Sequence, residues 1–193
     1  GPTEDQVVKL ISNHIKGFTF NPSIFKKLKI TDYLEACRKY ANLAKTKPVS
    51  LEVIADSEPE IYDQAKTISK LSDNVFVKIP VMLTNGNSTY DVIKKLVNDD
   101  IKLNITAILT IKQIEELVPI VKDTENILSI FVGRIFDSGI DGEIYLKELL
   151  EKNKSRKYKY LWASARMAFD IIKAERSGFD IITLTTELIQ KYN

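Results

Sequence analysis

Two hydrophobic rhythms alternate along this chain. Short β-branched runs are separated by longer stretches whose apolar residues recur at helical spacing. The runs predict strands over 17–20, 49–55, 75–81, 102–109, 127–135, 157–163 and 181–184. The intervening stretches predict helices over 4–14, near Ile24, and over 32–43, 59–71, 88–97, 111–121, 141–151, 167–177 and 185–190. Capping chemistry sharpens several starts: Asn21-Pro22-Ser23 opens one helix, and Thr31, Ser88 and Thr110 read as N-caps of others. Asn85-Gly86-Asn87 reads as a turn, and Gly178 as a helix stop.

Strand-helix alternation predicts an α/β fold with a parallel sheet and right-handed crossovers. Seven strands are visible, one short of a closed (β/α)₈ TIM barrel. The chain opens on a helix, so the absent strand is the first one. An open array would leave two edges exposed. Nothing in 1–193 suggests a linker, so a single domain is expected.

Polar residues inside these strands are informative, because strand residues two apart share a face. Lys78 interrupts Val75-Phe76-Val77-Lys78-Ile79-Pro80-Val81, a run that reads as covered on both faces. A buried lysine is paired, neutral or chemically used. Glu52 lies among apolar neighbours in 49–55, and Asn104 and Thr106 share a face in 102–109. If order in the chain is order in the barrel, Glu52, Lys78, Asn104 and Thr106 come from three successive strands and converge in its interior. An amine that adds to a carbonyl must shed its proton, and a nearby carboxylate and hydroxyl hold the water that an imine releases. The same residues also fit a buried ion pair with no catalytic role, and Asn104 and Thr106 could satisfy one another. Arg134 and Arg166, with Ser164, follow two strands on the side where barrel sites bind phosphate. Each arginine alone reads as a surface ion pair; the two together favour a phosphate clamp. Trp162 and the Tyr158/Tyr160 pair read as packing, Lys94-Lys95 as an exposed helix face, and 152–157 as a solvated turn.

Composition narrows the class further. The chain has 193 residues, 44% hydrophobic and 28% charged, which suits a soluble globular domain. A net charge of +2 supplies no field for nucleic acid or membrane surfaces. No apolar run approaches the roughly 20 residues that span a bilayer, and no signal peptide is visible. A single cysteine, Cys37, fits a reducing, cytoplasmic compartment and reads as a small buried hydrophobe. The single histidine, His14, has no His or Cys nearby, so no metal site is expected. Gly1-Pro2 reads as a protease-cleavage scar or as native sequence.

The ordered set Gly17-Phe18-Thr19-Phe20-Asn21-Pro22-Ser23, Val77-Lys78-Ile79-Pro80, Leu103-Asn104-Ile105-Thr106, Phe131-Val132-Gly133-Arg134-Ile135 and Ala163-Ser164-Ala165-Arg166 resembles the transaldolase family of class I, Schiff-base aldolases. The length looks most like the short bacterial branch. The resemblance implies a (β/α)₈ barrel that transfers a dihydroxyacetone unit from a ketose phosphate to an aldose, without metal or organic cofactor. Lys78 would be the Schiff-base lysine, with Glu52 and Thr106 positioning the catalytic water. Asn21 and Asn104 would bond the dihydroxyacetone hydroxyls, and Arg134, Ser164 and Arg166 would lie near the substrate phosphate. Phosphorylated sugars are the implied partners, together with other copies of the chain in a homo-oligomer. Relatives that act as fructose 6-phosphate aldolases tend to carry Gln at the Glu52 position and Tyr at the Phe131 position. Glu52 and Phe131 are the transaldolase choice. Two departures stand out. The family's proton-shuttling Asp ends a strand that would precede Gly1, and neither Glu4 nor Asp5 matches it. That implies either a strand upstream of Gly1 or a natural variant of impaired turnover, down to a sugar-phosphate-binding protein. Phe20 also stands where the family usually has Thr, which would reshape the pocket.

Overall fold

The computed structural model describes residues 2–152 except 12–14, and 155–192. The expectations for Gly1, His14, the end of the first helix and part of the 152–157 turn therefore lie outside the described residues. Among the described residues seven strands and ten helices follow one another: α1 (Glu4–Ile11), β1 (Phe18–Phe20), α2 (Pro22–Lys27), α3 (Tyr33–Leu43), β2 (Val49–Glu52), α4 (Glu58–Ser69), β3 (Val75–Pro80), α5 (Tyr90–Asn98), β4 (Leu103–Ile108), α6 (Ile111–Val121), β5 (Ile127–Ile130), α7 (Val132–Asp137), α8 (Gly142–Lys152), β6 (Lys159–Trp162), α9 (Asp170–Arg176), β7 (Ile181–Ile182) and α10 (Thr186–Tyr192). Strand order follows chain order from β1 to β7. By contacts the chain divides into two compact units, one running through Ile79 with Leu83–Asn104, the other holding Pro80–Met82 and everything from Ile105.

In the first unit β1 pairs parallel with β2, and β2 with β3, in the register Ser50↔Phe76, Leu51↔Val77 and Glu52↔Lys78. Strand alternation then sorts the side chains. Val49, Leu51, Val75 and Val77 are buried on one face, while Ser50, Glu52, Phe76 and Lys78 share the other. Phe20 is opposite Leu51, so it joins the apolar face. Its ring stacks on Phe25 at 5.4 Å and meets Tyr40 at 4.5 Å, and it is fully buried. The expected effect of Phe20 on a pocket is thus corrected: it packs against α2 and α3. Thr19, opposite Ser50, occupies the polar face instead.

In the second unit β5 pairs parallel with β6, and β6 with β7. The Phe131 N–H donates to the Ile108 carbonyl at 2.8 Å, joining β4 to the end of β5. Trp162 is buried against Phe136 and Phe179, at 5.9 and 5.3 Å between rings, and Tyr158 and Tyr160 pack edge to face. These are the packing roles that the sequence suggests.

Thr110 caps α6 through a reciprocal capping box with Gln113, as expected. Two other caps move by one residue. Asp32, not Thr31, accepts the Glu35 N–H at the start of α3, and Thr89, not Ser88, precedes α5. The strand over 127–135 is cut to β5, because the Arg134 and Ile135 N–H groups turn back to the Phe131 carbonyl at 2.8 and 3.1 Å. Arg134 accordingly sits on a helix.

Candidate active site

Each polar group of the first unit is placed by sheet register. Glu52 stands opposite Lys78, and Lys78 Nζ donates to Glu52 Oε2 at 2.8 Å. The two side chains are only 11% and 15% exposed. A pair this buried rarely repays its desolvation by attraction alone. The Val77 N–H donates to the Lys102 carbonyl at 2.8 Å, which in a parallel ladder sets Val77 beside Leu103 and Lys78 beside Asn104. Asn104 is buried and its Nδ2 donates to Ser50 Oγ at 2.9 Å. Ser50, Glu52, Lys78 and Asn104 thus form one polar layer on a sheet whose other face is apolar. Asn21, next after β1, spends its Oδ1 on the Ile24 N–H at 2.9 Å as the N-cap of α2.

Ser50, Thr19 and Tyr33 escaped the sequence reading. Ser50 and Thr19 could have been found by counting two residues back from Glu52 and Asn21. Tyr33 could not: its hydroxyl donates to the Glu52 carbonyl from 19 residues away. That bond ties the first turn of α3 to the end of β2. Burial pushes the Tyr33 phenol well above its usual range, helped by Cys37 and Glu52 nearby. Burial likewise pushes the Cys37 thiol up to about 11, against a lowering contact from Tyr33. A thiol in that state is no nucleophile near neutral pH.

In the second unit Thr106 is 1% exposed, and its hydroxyl has no hydrogen-bond partner among the described residues. An orphan hydroxyl costs about 1–3 kcal/mol, so the group marks a place for a water or a ligand oxygen. The next residue, Ala107, has φ of 60°, a left-handed conformation inside a strand that alanine adopts at a cost. Phe131 is half-buried at the start of α7. A Cβ on Gly133 would lie 1.8 Å from the Ser164 carbonyl oxygen, so only glycine lets the two backbones meet. Ser164 itself is left-handed, with φ of 65°. The same point lies 3.2 Å from Arg166 Nε, which brings Arg166 and Ser164 to the turn that carries Arg134. Buried Asp170 fixes that loop by accepting the Arg166 and Met167 N–H groups at 2.7 and 3.1 Å. The Arg166 guanidinium pairs with Asp137 at the end of α7.

Among the described residues no group of three or more His, Cys, Asp or Glu side chains could hold a metal ion. No described helix is long and apolar enough to cross a membrane.

The sequence matches, over residues 3–193, the family described as Transaldolase/Fructose-6-phosphate aldolase. Among similar proteins are a probable transaldolase of Bdellovibrio bacteriovorus, 32% identical over 181 residues, and one of Methanococcus vannielii, 29% identical over 179 residues. These alignments cover 91% and 92% of this chain and 79% of each relative. Solved structures with a similar fold include an inosine 5′-monophosphate dehydrogenase from Legionella pneumophila, at TM-score 0.61, 12% identity and 90% coverage of this chain. A monomeric dihydrodipicolinate synthase variant matches at TM-score 0.60, 12% identity and 97% coverage. The chain spans 58% and 64% of those two structures, and at such identity the likeness concerns the fold alone. The family and the names of its relatives support an aldolase- or transferase-type enzyme. This chain belongs to the Transaldolase/Fructose-6-phosphate aldolase family.

Proposed function

We propose that this chain is a transaldolase-type enzyme that works through a Schiff base on Lys78. The observation that carries the reading is a buried lysine amine 2.8 Å from a carboxylate, beside a buried asparagine amide. Glu52 is the proton acceptor at hand when the ammonium must become an amine. The amine adds to the C2 carbonyl of a ketose phosphate, and the carbinolamine loses water to give an iminium ion. A base takes the C4 hydroxyl proton, the C3–C4 bond breaks, and its electron pair enters the iminium as an enamine. An aldose phosphate leaves. The enamine carbon then attacks an acceptor aldehyde, and water hydrolyses the new iminium to free the lysine. On this reading Glu52 and Thr106 hold that water, and Thr106's unpartnered hydroxyl supports its part. Asn21 and Asn104 bind the dihydroxyacetone hydroxyls, Phe131 shapes the site, and Arg134, Ser164 and Arg166 receive the phosphate.

The seven strands fit seven of the eight in a (β/α)₈ barrel, in a single cytoplasmic domain that assembles with copies of itself. Both comparisons by family and strand order in chain order support the barrel.

Borohydride trapping with fructose 6-phosphate tests the nucleophile. The reduced adduct is expected on the peptide that contains Lys78, and Lys78→Ala should abolish it. No adduct on the wild-type chain, or one that survives in Lys78→Ala, rejects the assignment. The family's description covers both transaldolases and fructose 6-phosphate aldolases, so a second reading is an aldolase without efficient transfer. An acceptor aldose phosphate should accelerate turnover for a transaldolase and leave an aldolase unchanged. Thermal stabilisation by a sugar phosphate with no product would instead mark a binding protein.

A further inference from the structure

The Arg166–Asp137 ion pair lies within the group of residues assigned to the phosphate, and it rests on that assignment for its meaning. Arg166 and Asp137 are about half exposed, at 45% and 54% of their side-chain surface. Arg134 and Asp137 are three residues apart on α7, so they lie on neighbouring positions of one helix face. The Gly133–Ser164 approach draws the Arg166 loop onto that helix. The Arg166 guanidinium therefore already holds a carboxylate, on the same short helix that carries Arg134. A sugar phosphate near neutral pH carries close to two negative charges and three acceptor oxygens. It outbids a single carboxylate for a planar guanidinium fork, but it must first displace it.

We propose that Asp137 is an affinity-setting residue that competes with substrate phosphate for Arg166. The competition lowers affinity for the phosphate end and leaves the sugar end untouched, so it sets how strongly the enzyme prefers phosphorylated to free sugars. Asp137 acts through Arg166 and touches no reacting atom. The backbone of Arg166 is pinned separately by Asp170, at 2.7 Å, so loss of Asp137 frees the guanidinium without releasing the loop. The size of the effect is that of an exposed ion pair, about two- to fivefold in affinity.

Calorimetric titration of the whole chain with inorganic phosphate, fructose 6-phosphate and fructose tests this. Asp137→Asn should bind phosphate and fructose 6-phosphate about two- to fivefold more tightly, with fructose unchanged, and Asp137→Glu should return towards wild type. The gain should shrink in high salt, because the lost competitor is itself a screened ion pair. In turnover, the change should appear as a lower KM for fructose 6-phosphate. Unchanged or weaker phosphate binding by a folded Asp137→Asn, checked by its melting temperature, overturns the inference. An equal gain for fructose also overturns it. Arg166→Ala separates the two levels: if it weakens phosphate binding while Asp137→Asn gains nothing, only the competition is wrong. If Arg166→Ala binds phosphate as wild type does, the phosphate assignment itself fails, and the inference with it.

Discussion

The buried Lys78–Glu52 pair makes a prediction about stability that separates a functional pair from a structural one. Removing one partner leaves an uncompensated charge among apolar strands. For fully buried pairs that costs about 3–5 kcal/mol. Here the side chains are 11% and 15% exposed, so some solvent reaches them, and a cost of about 2–4 kcal/mol is expected for Glu52→Gln. At 193 residues each kcal/mol moves the melting point by roughly 2–4 °C, so Glu52→Gln should melt roughly 4–16 °C lower. The double variant Glu52→Leu/Lys78→Met removes both charges and fills similar volume. It should match or exceed wild-type stability, by up to about 4 kcal/mol. Urea unfolding of the wild type, Glu52→Leu, Lys78→Met and the double variant gives the coupling energy directly, with urea slopes checked for a common denatured state. The same double variant should form no borohydride-trapped adduct. A pair kept for chemistry is expressed as a more stable, inactive protein. If the double variant is instead less stable than either single one, the pair is holding the strands together, and the argument that it needs a catalytic reason is refuted.

Thr106→Val should raise stability by about 1–3 kcal/mol, because it removes an orphan buried hydroxyl, while lowering turnover; a loss of stability in urea would mean that the hydroxyl is bonded in solution. Gly133→Ala should destabilise by about 3 kcal/mol or more, since its methyl would meet the Ser164 carbonyl oxygen at 1.8 Å; an unchanged melting curve would disprove that close approach. Ala107→Gly should stay within about 1 kcal/mol of wild type, as relief of the left-handed cost offsets the looser unfolded chain, whereas Ala107→Val should lose about 2 kcal/mol or more. Cys37 gives a pH prediction. Its folded thiol is raised to about 11 from the usual 9.0, so the stability it carries is whole below pH 9 and lost as pH climbs towards 11. Cys37→Ala should flatten the fall of melting temperature over that window, and an unaltered fall would assign it to other groups such as Tyr33.

Several of these positions were readable in the chain, and the others show what a linear pattern omits. Lys78 and Asn104 stand out because each is polar inside a β-branched run, and a parallel strand buried on both faces leaves no unremarkable place for them. Seven strands were countable because turn and cap residues punctuate them. The misplaced Arg134 has a physical cause: Val132 and Ile135 extend the apolar rhythm of β5, and the turn into a helix shows only in the backbone bonds back to Phe131. The expectation that Phe20 reshapes the pocket fails for a related reason. In a strand a shift of one position exchanges core and pocket, and the β1–β2 register that decides it is a property of pairing. The same logic explains why the partners of the candidate site were the last to appear. Tyr33 on Glu52, Ser50 on Asn104 and Asp137 on Arg166 are bonds across 19, 54 and 29 residues. Chemistry-bearing residues announce themselves by being out of place, but the residues that hold them look ordinary, because their role exists only after the strands have paired. Variants of those ordinary residues are therefore where the reading of this site is most open to disproof: Tyr33→Phe should loosen the end of β2 and lower the yield of the trapped Lys78 adduct at limiting substrate, while a full yield would show that Glu52 needs no such support.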